Sequence, residues 1–341
     1  FYIDYNYNKV NINGKYFGKK KYSKGTLITY EKYLNKLHHL RDPYLYKEEQ
    51  LLFNKIGKGT TVLIQGDSWA ERFSESVDTR KVFAEFSELK NVKFILSGTS
   101  SYSPSLYQAQ LQVLKSDFNI NPEVLISLFD QTDIGDELCR YKSNRYLENE
   151  NVFVKNYSSP KEGKLYYMDF YLKRIKILTS NKVSILKLVL LINSKITEKY
   201  FTEFEKTCTF DKITGPLSKG LSSEEFNYFK KVVDDYLNYI FNKTDIKKMI
   251  IFTHPHLNNI NNNYKINISS VLKRIIDKST YKNKILIYNF TDDFVSKYIE
   301  KSKNKEFICI FVPGDNASHL CDVYQYKIVV PEMLKIASKI M

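Results

Sequence analysis

Apolar residues fall in two rhythms along the chain. From residue 60 onward, short runs at Val62–Ile64, Val92–Leu96, Glu123–Phe129, Met249–Phe252 and Ile285–Tyr288 have the length and continuity of buried strands. Helical spacing separates them. A helix is predicted over roughly Thr79–Leu89, and another opens at Ser103-Pro104 and carries Leu106, Ala109, Val113 and Leu114 on one face. Ser222 and Glu225 form a capping-box pair ahead of a long helix to about Asn242. A helix over about Ser270–Asp277, a last strand at Phe307–Val312 and a closing helix to Ile340 complete the pattern. Strands that alternate with helices and end in polar loops predict an α/β fold, a three-layer α/β/α arrangement around a central parallel sheet. Ligands of such sheets bind beyond the carboxyl ends of the strands.

Two stretches break the rhythm. Residues 1–56 read as an N-terminal extension, with a hairpin at Val10–Phe17 around Asn13-Gly14 and a short amphipathic helix at Tyr30–Leu40. That helix carries His38 and His39, which as neighbours cannot share one face and so suggest no metal site. The α/β domain is expected over 57–341, with a mostly helical insertion at about 138–220 that contains an apolar stretch around Val183–Ile192. That stretch is interrupted by Ser184 and Lys187 and falls far short of the ~20 residues a membrane span requires, so no membrane span is expected.

At 341 residues and 43% apolar the chain can bury a sizeable core. Lys and Arg number 52 against 38 Asp and Glu, a net +14 that favours anionic partners such as an anionic glycan. Basic residues alternate with acids, Lys19-Lys20-Lys21 excepted, and no basic motif with aromatic platforms marks a nucleic-acid module. Nucleic acid is therefore not an expected partner. Cys139, Cys208, Cys309 and Cys321 have no metal-ligand spacing, so no metal or other cofactor is expected, and free thiols and a disulfide are equally compatible with the pattern. The chain opens on Phe1 rather than Met, which admits a signal or anchor removed upstream and a cell-envelope or secretory location.

The candidate chemistry begins where Val62–Ile64 delivers the chain to Gly66-Asp67-Ser68, after which Trp69, Ala70 and Phe73 recur at helical spacing. A serine hydroxyl at a strand-to-helix turn lies near free helix N–H groups that can stabilise an oxyanion. The plainer alternative is that Ser68 caps the helix. A nucleophilic serine needs a base and a group to orient that base. His319 is the candidate base, four residues after Asp315 and three after Asn316, either of which could take its Nδ1–H. The Ser68 N–H, an N–H of the Gly98–Ser101 loop, either Gly98 or Ser101, and the Thr132 hydroxyl are the candidate oxyanion donors. His254 and His256 follow a strand on the same edge and are candidate substrate contacts, with Asn316 a third. Asp130, Asp133 and Asp136 lack the spacing of a calcium loop and are expected to hydrogen-bond within the wall of the site.

Gly66-Asp67-Ser68, the Gly98-to-Pro104 loop, the Asp130–Asp133 loop and the late Asp/Asn-to-His319 element, in that order, resemble the sequence blocks of the SGNH (GDSL) hydrolase superfamily. The resemblance covers about residues 60–136 and 245–341 and is similar in flavour to carbohydrate O-acetyl esterases and polysaccharide O-acetyltransferases. It implies that Ser68 is the nucleophile and His319 the general base. Two positions depart from the family: Asn316 stands where Asp is usual, with Asp315 one place earlier, and Thr132 stands where Asn is usual. The expected activity is serine-dependent removal or transfer of an O-acetyl group on a carbohydrate. A glycan-binding or assembly protein on the same scaffold, and a lipid-directed esterase with an apolar acyl channel, are the alternatives.

Overall fold

The buried runs of the sequence pair into one sheet. In the computed structural model, which describes residues 54–99, 101–143, 145–148, 150–154, 208, 210–254, 256–261, 263–290, 309–315 and 318–341, the strands are β1 (Asn54–Gly57), β2 (Thr60–Gln65), β3 (Val92–Leu96), β4 (Val124–Phe129), β5 (Arg145–Glu148), β6 (Asn151–Val154), β7 (Lys248–Thr253) and β8 (Ile285–Asn289). Six of them form a sheet in the order β1-β3-β2-β4-β7-β8, parallel except for β1. Val62 lies opposite Phe94 on one side and Val124 on the other, so β2 sits centrally and is buried on both faces. Strands β3 and β4, which follow it in sequence, flank it on opposite sides. The crevice beyond the carboxyl end of β2 is thus the switch point where α/β sheets bind ligands.

Side chains alternate between two cores. On one face Leu63, Leu125 and Ile251 pack with Leu106 and Tyr107 of α3 (Pro104–Phe118), Phe229 and Val233 of α5 (Ser223–Lys243) and Leu272 of α6 (Ile268–Ile276). On the other, Val62, Ile64 and Ile126 pack with Trp69 and Phe73 of α1 (Ser68–Glu75), Phe83 of α2 (Val77–Lys90) and Met333 of α7 (Val330–Ala337). Each such side chain contributes about 1.5–3 kcal/mol on burial. This is the expected three-layer arrangement.

Local signals fix several helix ends. Ser222 and Glu225 form the reciprocal capping box at the start of α5, at 2.7 and 3.2 Å. Asn91 and Asn119 close α2 and α3 in the left-handed conformation, at φ 50° and 51°. Ser103 stands at the α3 N-cap, but its hydroxyl donates instead to Glu137 Oε1 at 2.6 Å.

Two expectations are corrected. The boundary placed at residue 56 cuts through β1, which belongs to the sheet and pairs antiparallel with β3. Of the expected strand Phe307–Val312, the described residues 309–312 add no strand to the sheet. Phe311 makes an isolated antiparallel bridge with Leu320, because the chain turns back at Pro313-Gly314, where Gly314 has φ 75°, and Val312 N–H donates to His319 O at 2.8 Å. The described start of the insertion is the helical turn Glu137–Tyr141 followed by the antiparallel hairpin β5–β6. Gln112 of α3 explains its seat, since its amide both accepts from Val152 N–H and donates to Val152 O, at 2.8 and 3.0 Å. The predicted hairpin at Val10–Phe17, the helix with His38 and His39, and the stretch Val183–Ile192 lie outside the described residues.

The end of the insertion returns as α4 (Phe210–Lys219), joined to the body by the Cys139–Cys208 disulfide. It packs on the helical turn Asp133–Asp136, where a Cβ on Gly135 would lie 1.9 Å from the Ile213 carbonyl oxygen. Gly135→Ala is therefore expected to push α4 off this turn and destabilise the protein by about 1–3 kcal/mol, read as a lowered urea midpoint. An unchanged midpoint would contradict the close approach.

Candidate active site

The site starts from the end of β2. Asp67 caps α1, its carboxylate accepting the Trp69 N–H at 3.0 Å, so the cap is Asp67 and the Ser68 hydroxyl is left for other partners. Ser68 opens the helix, where its backbone N–H has no acceptor one turn earlier. Its Oγ, half-buried, lies 2.7 Å from His319 Nε2 and 3.4 Å from Asp67 Oδ2. The shorter contact makes His319 the stronger partner.

His319 is held from behind by Asp315. The carboxylate oxygen Oδ2 takes the ring Nδ1–H at 2.5 Å and the His319 backbone N–H at 3.1 Å. A proton on Nδ1 leaves Nε2 bare and facing the serine. The described contact of the His319 ring is thus with Asp315; Asn316 lies outside the described residues. The segment is closed on itself by the Cys309–Cys321 disulfide and by Cys321 N–H donating to Ile310 O at 2.8 Å. Arg72, one turn along the helix from Ser68, donates to Leu320 O at 2.9 Å and ties the two halves together. Neither Arg72 nor the disulfide was foreseen, although two cysteines flanking the Asp315–His319 element were a visible signal.

Beside Ser68 runs the loop after β3. Ser97 N–H and Thr99 N–H donate to Ile64 O and Gly66 O, at 2.8 and 3.0 Å. Among the described residues no backbone carbonyl accepts from the intervening Gly98 N–H. Gly98 also has to be glycine, because a Cβ there would lie 2.1 Å from the α1 backbone at Ala70 and Glu71. Ser101, at φ 61°, turns the chain away and presents its carbonyl to the Tyr141 hydroxyl at 2.5 Å. Thr132 does not fit the place expected of it. It is 8% exposed and its one hydroxyl proton goes to Asp130 Oδ2 at 2.6 Å.

Two histidines are likewise reassigned. His254 is 4% exposed with its ring against the Trp69 indole, and His256 is fully buried with its ring on the Ser318 hydroxyl. Both follow β7 as expected, but they face inward, so neither presents a surface to substrate.

A layer of carboxyls lies beneath. Burial, reinforced by Asp130, pushes the Asp67 pKa well above the usual carboxylate range, and burial with Asp67 and Asp130 does the same to Asp133. Burial also raises Glu137, although bonds from Ser103 and Ser105 and the charge of Arg145 oppose it. Asp133 accepts from the Tyr107 hydroxyl at 3.2 Å, and Asp136 pairs with Arg140 at 2.9 Å. These acids bond within the wall, and among the described residues no group of His, Cys, Asp and Glu could hold a metal ion.

No protein-family model matches the chain, and no curated protein sequence does. Among solved structures it is similar to an alpha/beta hydrolase enzyme from the metagenome of Lake Arreo, Spain, at 9% identity and a TM-score of 0.42, covering 83% of this chain and 97% of that one. It is similar to a catalytic mutant of an acetylxylan esterase from Geobacillus stearothermophilus at 11% identity and a TM-score of 0.40, covering 82% of this chain and 94% of that one. An acetyl xylan esterase from the rumen bacterium Butyrivibrio proteoclasticus gives 8% identity and a TM-score of 0.31, covering 73% and 64%. Likenesses this distant carry no functional weight, and the chemistry has to be judged from the atoms of the site.

Proposed function

We propose that this chain is a serine-dependent acyl-ester enzyme that removes or transfers an O-acetyl group on a carbohydrate. The observation that carries the reading is the continuous row Ser68 Oγ, His319 Nε2, His319 Nδ1, Asp315 Oδ2, with its two links at 2.7 and 2.5 Å. In this reading Ser68 Oγ attacks the ester carbonyl carbon as His319 Nε2 takes its proton, and Asp315 stabilises the imidazolium that results. The carbonyl oxygen becomes an oxyanion that accepts from the Ser68 and Gly98 N–H groups. Collapse breaks the bond to the alcohol, which leaves with the proton from His319, and an acyl-Ser68 remains. Water or a second hydroxyl then attacks the acyl carbon, with His319 as base again, and Ser68 is released. A positioned base is worth about 10²–10⁴ in rate and an oxyanion donor about 10²–10³.

A short acyl group is preferred to a lipid chain in this reading because the resemblance of the sequence blocks is to carbohydrate O-acetyl esterases and polysaccharide O-acetyltransferases. Hydrogen-bond reach between Ser68 and His319 also weighs against a scaffold that only binds glycans. The carbohydrate half of the reading rests on the resemblance of the Gly66–Ser68 block and its companions. Pairing of Cys139 with Cys208 and of Cys309 with Cys321 supports a cell-envelope or secreted location, since disulfides persist in oxidising compartments. Among the described residues no helix is long and apolar enough to cross a membrane.

Release of p-nitrophenol from p-nitrophenyl acetate, butyrate and longer esters tests the reading. Acetate is expected to be preferred, and Ser68→Ala to lower kcat/KM by about 10³-fold or more. Preference for long esters would favour the lipid alternative; no Ser68-dependent turnover of any ester by folded protein would favour the binding scaffold. Asp315→Asn leaves the ring without its anionic partner and is expected to cost about 10³–10⁴ in kcat with little change in KM. Wild-type kcat in that variant would mean that Asp315 does not orient the base.

A further inference from the structure

The segment that presents His319 makes a second serine–histidine contact that the mechanism does not use. Ser318, the residue before His319, is 2% exposed and sits at φ 58°, in the left-handed region that a serine adopts only when its surroundings enforce it. Its hydroxyl meets His256, which is fully buried beyond the end of β7 and caps the helical turn Leu257–Ile260. His256 Nδ1 accepts from Asn258 N–H at 3.3 Å, so Nδ1 carries no proton. The Ser318 hydroxyl lies 3.2 Å from Nδ1 and 3.4 Å from Nε2 of the same ring, and its oxygen accepts the Leu257 N–H at 3.1 Å. The hydroxyl is thus held by one short stretch after β7.

The consequence falls on the next residue. The backbone angles at Ser318 set the direction in which the His319 Cα–Cβ bond leaves the chain, and hence where the ring meets Ser68. The other ties of this segment are Arg72 to Leu320 O, Val312 N–H to His319 O, and Ser318 N–H to Asp315 O at 3.1 Å. Of these only the last touches Ser318, through its backbone, and it leaves the hydroxyl to His256 and Leu257.

We propose that His256 is a positioning residue, a buried latch that holds Ser318 in the left-handed conformation and thereby aims the His319 ring at Ser68. The proposal rests on the reading of Ser68 and His319 as the reacting pair. It assigns His256 no contact with substrate, since the ring is buried.

Four variants test it: Ser318→Gly, Ser318→Ala, His256→Ala and His256→Asn. Glycine tolerates φ 58° without the hydroxyl, so Ser318→Gly removes the latch with the least backbone cost. Asparagine is a good N-cap and keeps an acceptor, so His256→Asn is the conservative replacement. Two readouts are taken: kcat and KM on p-nitrophenyl acetate, and the low-field proton resonance of His319 Nδ1–H, which needs no turnover. Ser318→Gly is expected to lower kcat about 10- to 100-fold, as a small misplacement of a reacting group does, with KM within about twofold. The resonance is expected to broaden or vanish in Ser318→Gly, Ser318→Ala and His256→Ala, and to return in part in His256→Asn. A Ser318→Gly variant with wild-type kcat and an intact resonance would overturn the latch. If wild-type protein shows no Ser68-dependent turnover, the functional reading fails by itself. The resonance then decides the latch alone: its loss in the Ser318→Gly variant supports the latch and its persistence overturns it.

Discussion

Everything in the site hangs on one hydrogen bond, between Ser68 Oγ and His319 Nε2 at 2.7 Å, whose partners are 251 residues apart in sequence. Bringing such distant groups within reach has a large entropic cost, which only the packed fold can offset. The sheet provides it. Strand β2 is buried on both faces and ends at the switch point, so Gly66-Asp67-Ser68 emerges at a place fixed by two cores at once. From the far end of the chain, α7 packs into the same core as α1, and Arg72 reaches the Leu320 carbonyl. The hydrogen bond is thus a reading of the whole fold rather than of a local motif.

The wall around it is made of residues with their options closed. Asp67 is occupied as a helix cap, and Thr132 donates its only hydroxyl proton to Asp130. The loop after β3 has two of its N–H groups bonded to the end of β2, with Gly98 between them pressed onto α1. What is left is a serine with one strong partner and two backbone N–H groups beside it. In the proposed reaction such an arrangement would require no rearrangement.

Much of this was legible in the sequence, for identifiable reasons. Strands β2, β3, β4 and β7 have a continuous apolar signature because both their faces are buried, whereas β1, with Asn54 and Lys55 on an edge, has none. Ser68 and His319 were singled out by the order and spacing of the polar loops that carry them, since neither residue is specific on its own. Spacing could not choose between Asp315 and Asn316, since three and four residues both reach a following imidazole; the described contact of the ring is with Asp315. His254 and His256 were placed on the correct edge, but a sequence does not say whether a loop side chain faces in or out, and Trp69 and Ser318 draw them inward. The hairpin β5–β6 was missed because its seat is a side-chain amide, Gln112, which leaves no periodic signature. The disulfides join cysteines 69 and 12 residues apart, a pairing that only the fold dictates.

The central claim is that His319 activates Ser68, and covalent labelling tests it without assuming any substrate. Folded protein is treated with an alkyl fluorophosphonate, and the adduct is located by peptide mass mapping in wild type and in His319→Gln. One adduct per chain, on Ser68, with its rate falling steeply when His319 is replaced, is the predicted result. An adduct elsewhere, or labelling of Ser68 at the same rate without His319, would contradict it.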